Sequence, residues 1–180
     1  MIYFLERASE WSYTENGLKS GQYWRLVTAH FTHYTLQHLL LNLAGCLLIF
    51  WGFQRIVRLF SYCVAILVGI VCIDLHLWYY DIAEYAGMSG ILNSMLTIAL
   101  TELLFQQSKR LKFLALTCMA VLTIKLGLEY TEISFVDHEG FQVYHPAHLV
   151  GALSGILGWL LHSKLKGTSL AKINKSPLSL

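Results

Sequence analysis

Charged side chains are scarce in this chain of 180 residues: they make up 13% of it, whereas hydrophobic residues make up 56%. Typical soluble domains carry about 25% charged residues. A soluble domain of this size could not bury so much apolar side chain, so lipid must cover the surplus. The composition therefore predicts a membrane protein in contact with membrane lipids.

A surplus of one charge sign is missing as well. The formal net charge is +2, and the basic residues stand at the ends of apolar segments instead of forming one stripe, so nucleic-acid binding is not expected. The cysteines lie inside apolar runs and show no Cys-x-x-Cys or histidine-paired metal spacing. We therefore expect no disulfide, no metal and no cofactor. The four are Cys46, Cys63, Cys72 and Cys118.

Five apolar stretches are candidates for crossing a bilayer, whose hydrocarbon core of about 30 Å needs roughly 20 helical residues. The connections between them are too short to hold a second, soluble domain. The sequence thus predicts an all-α polytopic membrane protein with five spanning helices. The stretches are 36–53, 60–78, 89–105, 111–128 and 147–161.

Basic residues orient this predicted bundle. Arg55 and Arg58 lie in the first connection, further basic residues lie in the third, and lysines follow the last stretch. Alternating crossings put all of them on one side, which is cytoplasmic by the positive-inside rule. The predicted divisions are an outer-face N-terminal segment with an interfacial loop (1–35), a transmembrane domain (36–163) and a basic cytoplasmic tail (164–180).

A serine and a histidine at matching depth carry the strongest functional signal. Ser89 opens one apolar stretch and His148 opens another, and both lie near the outer face in this topology. A free hydroxyl is a weak nucleophile at neutral pH, so Ser89 needs a base, and His148 is suitably placed. No acidic third member is evident. The sequence therefore predicts a Ser-His dyad.

Small residues surround this pair. Gly87 and Gly90 allow the backbone to approach closely around Ser89, so that its N–H can point at an oxyanion. Gly151 and Gly155 form a narrow face on the last helix, which would let the histidine helix approach the serine helix.

The ordered set of motifs resembles a known family. The segments 23–25, 38–42, 87–90 and 147–151, with His33 after the first, look like the signature of rhomboid intramembrane serine proteases. His38 and Asn42 share one helix face. The resemblance implies that they stabilise the oxyanion together with the Ser89 N–H. Rhomboid cores have six helices, so we expect this chain to present that core without its first helix.

Lys125 and Glu129 further resemble the pattern of rhombosortases, compact bacterial rhomboids. That resemblance implies a multi-pass transpeptidase of the bacterial inner membrane with its site toward the periplasm. It would cleave membrane-anchored proteins at the glycine pair of a C-terminal GlyGly-CTERM tail and pass the new C-terminus to a glycerophosphoethanolamine-like amine carrier. Glu129 would bind the acceptor amine, and Lys125 would keep Glu129 ionised or contact a phosphate. Asn93 departs from the pattern, which has a histidine there.

Other interpretations stay open at this point. Lys125 and Glu129 form an i,i+4 pair that could only offset the cost of burying each charge. An ordinary rhomboid would hydrolyse transmembrane substrates, and a rhomboid-like protein without chemistry would act by binding, although an intact Ser89 and His148 argue against the latter. Five further polar residues are expected to be merely interfacial: His30, Asp74, His76, His138 and His145.

Overall fold

The computed structural model of the chain describes residues 7–131, 137–138 and 141–173, with side chains described for 7–131 and 143–164. The prediction of an all-α bundle is confirmed: long helices dominate, and the strands in the described part span two residues each. In chain order the helices are α1 (Ala8–Trp11), α2 (Glu15–Lys19), α3 (Arg25–Thr28), α4 (Leu36–Phe53), α5 (Leu59–Tyr79), α6 (Ser89–Leu104), α7 (Lys109–Thr131) and α8 (Pro146–Ile173). The strands are β1 (Tyr13–Thr14), β2 (Glu84–Tyr85), β3 (Asp137–His138) and β4 (Phe141–Gln142).

Helices α4 to α8 correspond to the five predicted spans, with most boundaries shifted by one to three residues. Among the described residues, α4, α5 and α7 are long and apolar enough to cross a membrane. Helix α8 continues to Ile173, well beyond the end predicted for the last span. The first part of the predicted tail is therefore helical.

Helix α6 is the shortest of the five and lies at the centre of the bundle, where most of its side chains are buried. Its hydroxyl groups find acceptors inside the bundle. Thr97 and Thr101 donate to carbonyls one turn earlier in α6, and Ser94 donates to the Ala65 carbonyl of α5 at 2.8 Å. Because each hydroxyl is satisfied, a helix with several polar residues can be buried away from water.

Glycines on α8 let it lie directly against the backbone of α6. A Cβ at Gly151 would overlap the backbone carbonyl of Gly90, and a Cβ at Gly155 would overlap that of Ser94. Small residues at a helix contact shorten the distance between the two axes. This close packing brings the start of α8 beside the start of α6.

Side-chain hydrogen bonds connect the helices at both ends of the bundle. At the end that holds Ser89, called the site end, His76 of α5 lies 2.8 Å from the hydroxyl of Tyr144, which precedes α8. At the opposite end, Ser61 of α5 donates to Glu102 of α6 at 2.5 Å and lies 3.3 Å from Nδ1 of His162 in α8. These contacts show that α5 runs antiparallel to both α6 and α8.

The segment before α4 packs onto the connection that leads to Ser89. Strand β1 pairs antiparallel with β2, which ends shortly before Ser89. The Arg25 guanidinium donates to the carbonyls of Ser9 and Ser12 at 2.8 and 2.6 Å, which holds the short helices together. The sequence did not predict this pairing, because two-residue strands leave no periodic pattern.

Candidate active site

Ser89 is the first residue of α6 and follows a tight turn at Gly87. Gly87 has φ +128°, a conformation that side chains other than glycine rarely adopt, and a Cβ there would lie 2.8 Å from Cε1 of His38. The turn is held by the Gly87 N–H, which donates to the Ala29 carbonyl, and by the Tyr85 hydroxyl, which donates to the Gly87 carbonyl. The backbone of this turn therefore fixes the position of Ser89 at the start of α6.

His148 lies in the first turn of α8 and faces Ser89 across the contact between α6 and α8. Its Nε2 is 2.7 Å from the Ser89 Oγ, which is hydrogen-bonding distance. Gly90 is part of this contact, because a Cβ there would meet the Ala147 carbonyl at 3.0 Å. His148 is buried, with 6% of its surface exposed. The structure thus brings together the serine and histidine that the sequence singled out.

Glu129 completes a chain of three side chains. Its Oε2 lies 3.0 Å from the His148 Nδ1, and its Oε1 lies 2.8 Å from the Lys125 ammonium. The expectation that no acidic residue supports His148 is therefore wrong. The role expected for Glu129, binding of an acceptor amine, stays a prediction, and its contact with His148 adds a second candidate role, that of the acidic residue behind the base.

The relation between Glu129 and His148 escapes sequence reasoning because it joins two different helices. Half of the connection between α7 and α8 lies outside the described residues, and no periodicity links the two positions. One signal is available: a carboxylate in an apolar helix, at the same depth as a candidate base, needs a hydrogen-bonding partner. The ion pair with Lys125 already gives the Glu129 carboxylate a partner within α7. The structure shows this ion pair and the contact with His148 together.

The expected oxyanion donors lie at the same end. His38 lies against Gly87, two residues before Ser89. Asn42 is 5% exposed, and its Nδ2 has no hydrogen-bond partner among the residues that the structure describes. Ser89 occupies the first position of α6, where a backbone N–H has no acceptor within its own helix. The role of these three groups as oxyanion donors stays a prediction.

A second histidine supports His38. The rings of His33 and His38 meet edge to face with their centroids 4.9 Å apart. Burial, and secondarily the neighbouring His38, lowers the pKa of His33 to about 4. His33 is therefore neutral at physiological pH and adds no charge beside His38.

Two further polar residues complete the surroundings. Asn93, at the position where the resemblance calls for histidine, donates from Nδ2 to the Ser89 carbonyl at 2.8 Å and so ties the first turn of α6. His145 stacks edge to face on His148, with centroids 5.7 Å apart. Potential metal-ligating atoms of Glu129, His145 and His148 all lie within 4.8 Å of one another.

The geometry allows one consistent proton arrangement. A neutral His148 that donates from Nδ1–H to Glu129 leaves Nε2 as an acceptor for the Ser89 O–H. A hydroxyl held in this way can lose its proton to the imidazole as it attacks a carbonyl. The fold and the site together define a class: a multi-pass helical membrane protein with a serine-histidine-carboxylate arrangement at one end of the bundle.

Comparison with protein families identifies the particular family. The model of the Rhomboid domain matches residues 20–164, most of the chain. The chain belongs to the rhomboid family, a family of intramembrane serine proteases that also includes inactive relatives. Comparison with curated proteins gave no match, and comparison with solved structures gave none either.

Proposed function

We propose that this protein is an intramembrane serine protease that works through a Ser89–His148–Glu129 triad. The observation that carries the proposal is the continuous hydrogen-bonded chain from the Ser89 Oγ through both nitrogens of His148 to the Glu129 carboxylate. Inactive relatives need no such chain. A protein that acted by binding alone would not require this arrangement of side chains.

In the proposed reaction, the Ser89 Oγ attacks the carbonyl carbon of the scissile peptide bond, and its proton passes to His148 Nε2. The same proton then goes to the leaving amine as the C–N bond breaks, which gives an acyl-enzyme on Ser89. Glu129 stabilises the imidazolium that exists between these two transfers. A second nucleophile, either water or an amine, attacks the acyl-enzyme and restores Ser89.

The negative charge on the carbonyl oxygen needs donors in both steps. We assign this role to Asn42, His38 and the Ser89 N–H. The N-terminus of α6 adds the positive end of a helix dipole to these donors. Removal of one such donor typically slows a reaction by about 10²–10³-fold.

Our finer proposal is that an amine, not water, resolves the acyl-enzyme. Its support is the resemblance of the Lys125 and Glu129 pattern to that of rhombosortases. On this proposal the substrates are membrane-anchored proteins with GlyGly-CTERM tails, and the acceptor is a glycerophosphoethanolamine-like amine. The enzyme would lie in a bacterial inner membrane with the site end toward the periplasm, since basic residues such as Arg55 and Lys109 lie at the opposite end.

The catalytic proposal is tested by labelling the purified, detergent-solubilised protein with a fluorophosphonate probe. We expect one adduct on Ser89, lost in Ser89→Ala. Ser163→Ala is the matched control, because this serine lies at the opposite end of the bundle and its hydroxyl donates to the Leu160 carbonyl. Absence of an adduct on Ser89, or equal labelling of Ser89→Ala, would reject the proposal.

Transfer and hydrolysis are distinguished by the mass of the product. We propose to co-express a tagged protein with a GlyGly-CTERM tail and to weigh its mature C-terminus. Transfer adds the mass of the amine carrier, with water lost in the new amide bond. A C-terminus that carries only a free carboxylate would support an ordinary hydrolysing rhomboid and reject the transferase.

A further inference from the structure

His145 joins Glu129 and His148 to form a cluster of metal-ligating groups beside Ser89. His145 Nδ1 lies 3.9 Å from Glu129 Oε1, and His148 Nδ1 lies 3.0 Å from Glu129 Oε2. The side chains of His145, Glu129 and His148 are 14%, 19% and 8% exposed. The triad proposed above uses only two of them, so it does not explain the position of His145.

Two imidazoles and one carboxylate are a ligand set typical of open zinc sites in proteins. Zinc bonds of about 2.0–2.2 Å place tetrahedral ligand atoms roughly 3.4 Å apart. One candidate ligand atom from each of the three residues lies within 4.8 Å of the other two, so rotation of the side chains has to bring these atoms closer together when the metal binds. Mg²⁺ does not suit the set, because it prefers oxygen ligands in octahedral geometry.

We propose that Glu129, His145 and His148 form an inhibitory site for Zn²⁺. This inference rests on the proposed catalytic function, because it assigns a regulator to the same site. The metal binds His148 through Nδ1 and takes the place of the proton that Nδ1 donates to Glu129. A fourth position is left for water or another ligand.

Inhibition follows from the chemistry of the imidazole ring. In the active arrangement the proton of neutral His148 is on Nδ1, and Nε2 is free to accept from Ser89. When Zn²⁺ occupies Nδ1, the single proton of the neutral ring moves from Nδ1 to Nε2 by exchange with solvent, so the ring stays neutral and no proton is lost overall. A protonated Nε2 can only donate, so it cannot take the Ser89 proton. The hydroxyl then remains a weak nucleophile.

Lys125 limits the affinity of this site. Its ammonium lies 2.8 Å from Glu129 Oε1, the oxygen nearest His145, and would repel the metal. The Lys125 side chain is 48% exposed, so it can turn toward solvent when the metal binds. Removal of this charge should strengthen zinc binding, whereas removal of His145 should weaken it.

The first test measures the rate of fluorophosphonate labelling of Ser89 in the full-length protein over a Zn²⁺ titration. We expect labelling to fall at least about tenfold at saturation, to recover on chelation, and to be unaffected by Mg²⁺. His145→Asn should label normally without zinc and should need a Zn²⁺ concentration at least about 10–100-fold higher, since even loss of an outer-shell partner costs that much in affinity. Lys125→Met should need less Zn²⁺ than the wild type.

Cys63→Ser is the control for binding elsewhere, because Cys63 is an exposed thiol and its substitution should not change the response. Isothermal titration of Zn²⁺ into Ser89→Ala supplies a readout without activity: we expect one site, lost when His145→Asn is added. Unchanged zinc inhibition in His145→Asn, or labelling that does not respond to zinc, would overturn the inference. Failure of the catalytic proposal gives a different result, namely no labelling of Ser89 even without zinc.

Discussion

Substitution of Glu129 by glutamine is the sharpest test of the triad. The glutamine side chain would fill the same space, but its NH₂ group can donate to His148 Nδ1, which favours the ring with its proton on Nε2. That ring cannot accept from Ser89. Loss of the corresponding carboxylate in serine proteases costs about 10⁴-fold in rate. Glu129 is 19% exposed and shares its charge with Lys125, so we expect a smaller loss of about 10³-fold, or about 4 kcal/mol.

The assay is the rate of Ser89 labelling by a fluorophosphonate in the full-length protein, with the thermal unfolding midpoint measured alongside to show that each variant is folded. Lys125→Met is the control, because it removes the other partner of Glu129 and leaves the His148 contact; we expect less than about a tenfold change. If Glu129 binds only the acceptor amine, Glu129→Gln will label normally and lose transfer. Labelling of Glu129→Gln within about threefold of wild type would refute the triad.

Three further predictions concern the residues around the triad. Gly151→Ala should destabilise the protein by about 1–3 kcal/mol and lower its thermal unfolding midpoint, because the added Cβ would overlap the Gly90 carbonyl. Gly127→Ala is the control and should leave the midpoint unchanged, because nothing lies within 4 Å of its Cβ position. An equal effect of both substitutions would contradict the packing argument. Asn42→Ala should lower peptide-bond cleavage about 10²-fold in kcat without lowering the unfolding midpoint, since its Nδ2 has no partner among the described residues; a loss of stability with normal kcat would rule out the oxyanion role. The pKa of buried His33, about 4, lies below its unfolded value near 6.5, so the unfolded chain binds more protons between these values, and stability should fall by about 3 kcal/mol as the pH drops from 6.5 to 4. In pH-dependent unfolding, His33→Gln should lose less stability over this range, and an unchanged slope would show that another group titrates.

The helices and the serine-histidine pair could be predicted because the sequence carries their signals locally. A run of apolar side chains as long as a bilayer is thick admits few structures other than a helix. Ser89 and His148 could be identified because charge asymmetry places both at one depth. The extra length of α8 was not predictable in this way, since the basic residues that mark the membrane surface do not end a helix.

Contacts between distant segments escaped prediction for a physical reason. The pairing of β1 with β2 involves two residues on each side, too few for a periodic pattern. The contact of His30 with Asp74, at 3.1 Å, joins the short 3-10 helix Ala29–Phe31 to α5 at the site end. Each residue taken alone has many possible partners, and only the packed bundle selects one of them. The choice of partner matters most for polar residues in apolar helices, because an unpaired polar group there costs the most free energy.

Glu129 illustrates this point most clearly. Its spacing from Lys125 is a complete local explanation, because an i,i+4 ion pair offsets the cost of burying both charges. That explanation leaves one carboxylate oxygen and one imidazole nitrogen without partners at the same depth. Unsatisfied polar atoms in a membrane protein cost several kcal/mol each, so two of them at one depth on neighbouring helices are strongly driven to pair. The 3.0 Å contact between Glu129 and His148 satisfies both atoms and also fixes the tautomer that the Ser89 hydroxyl requires.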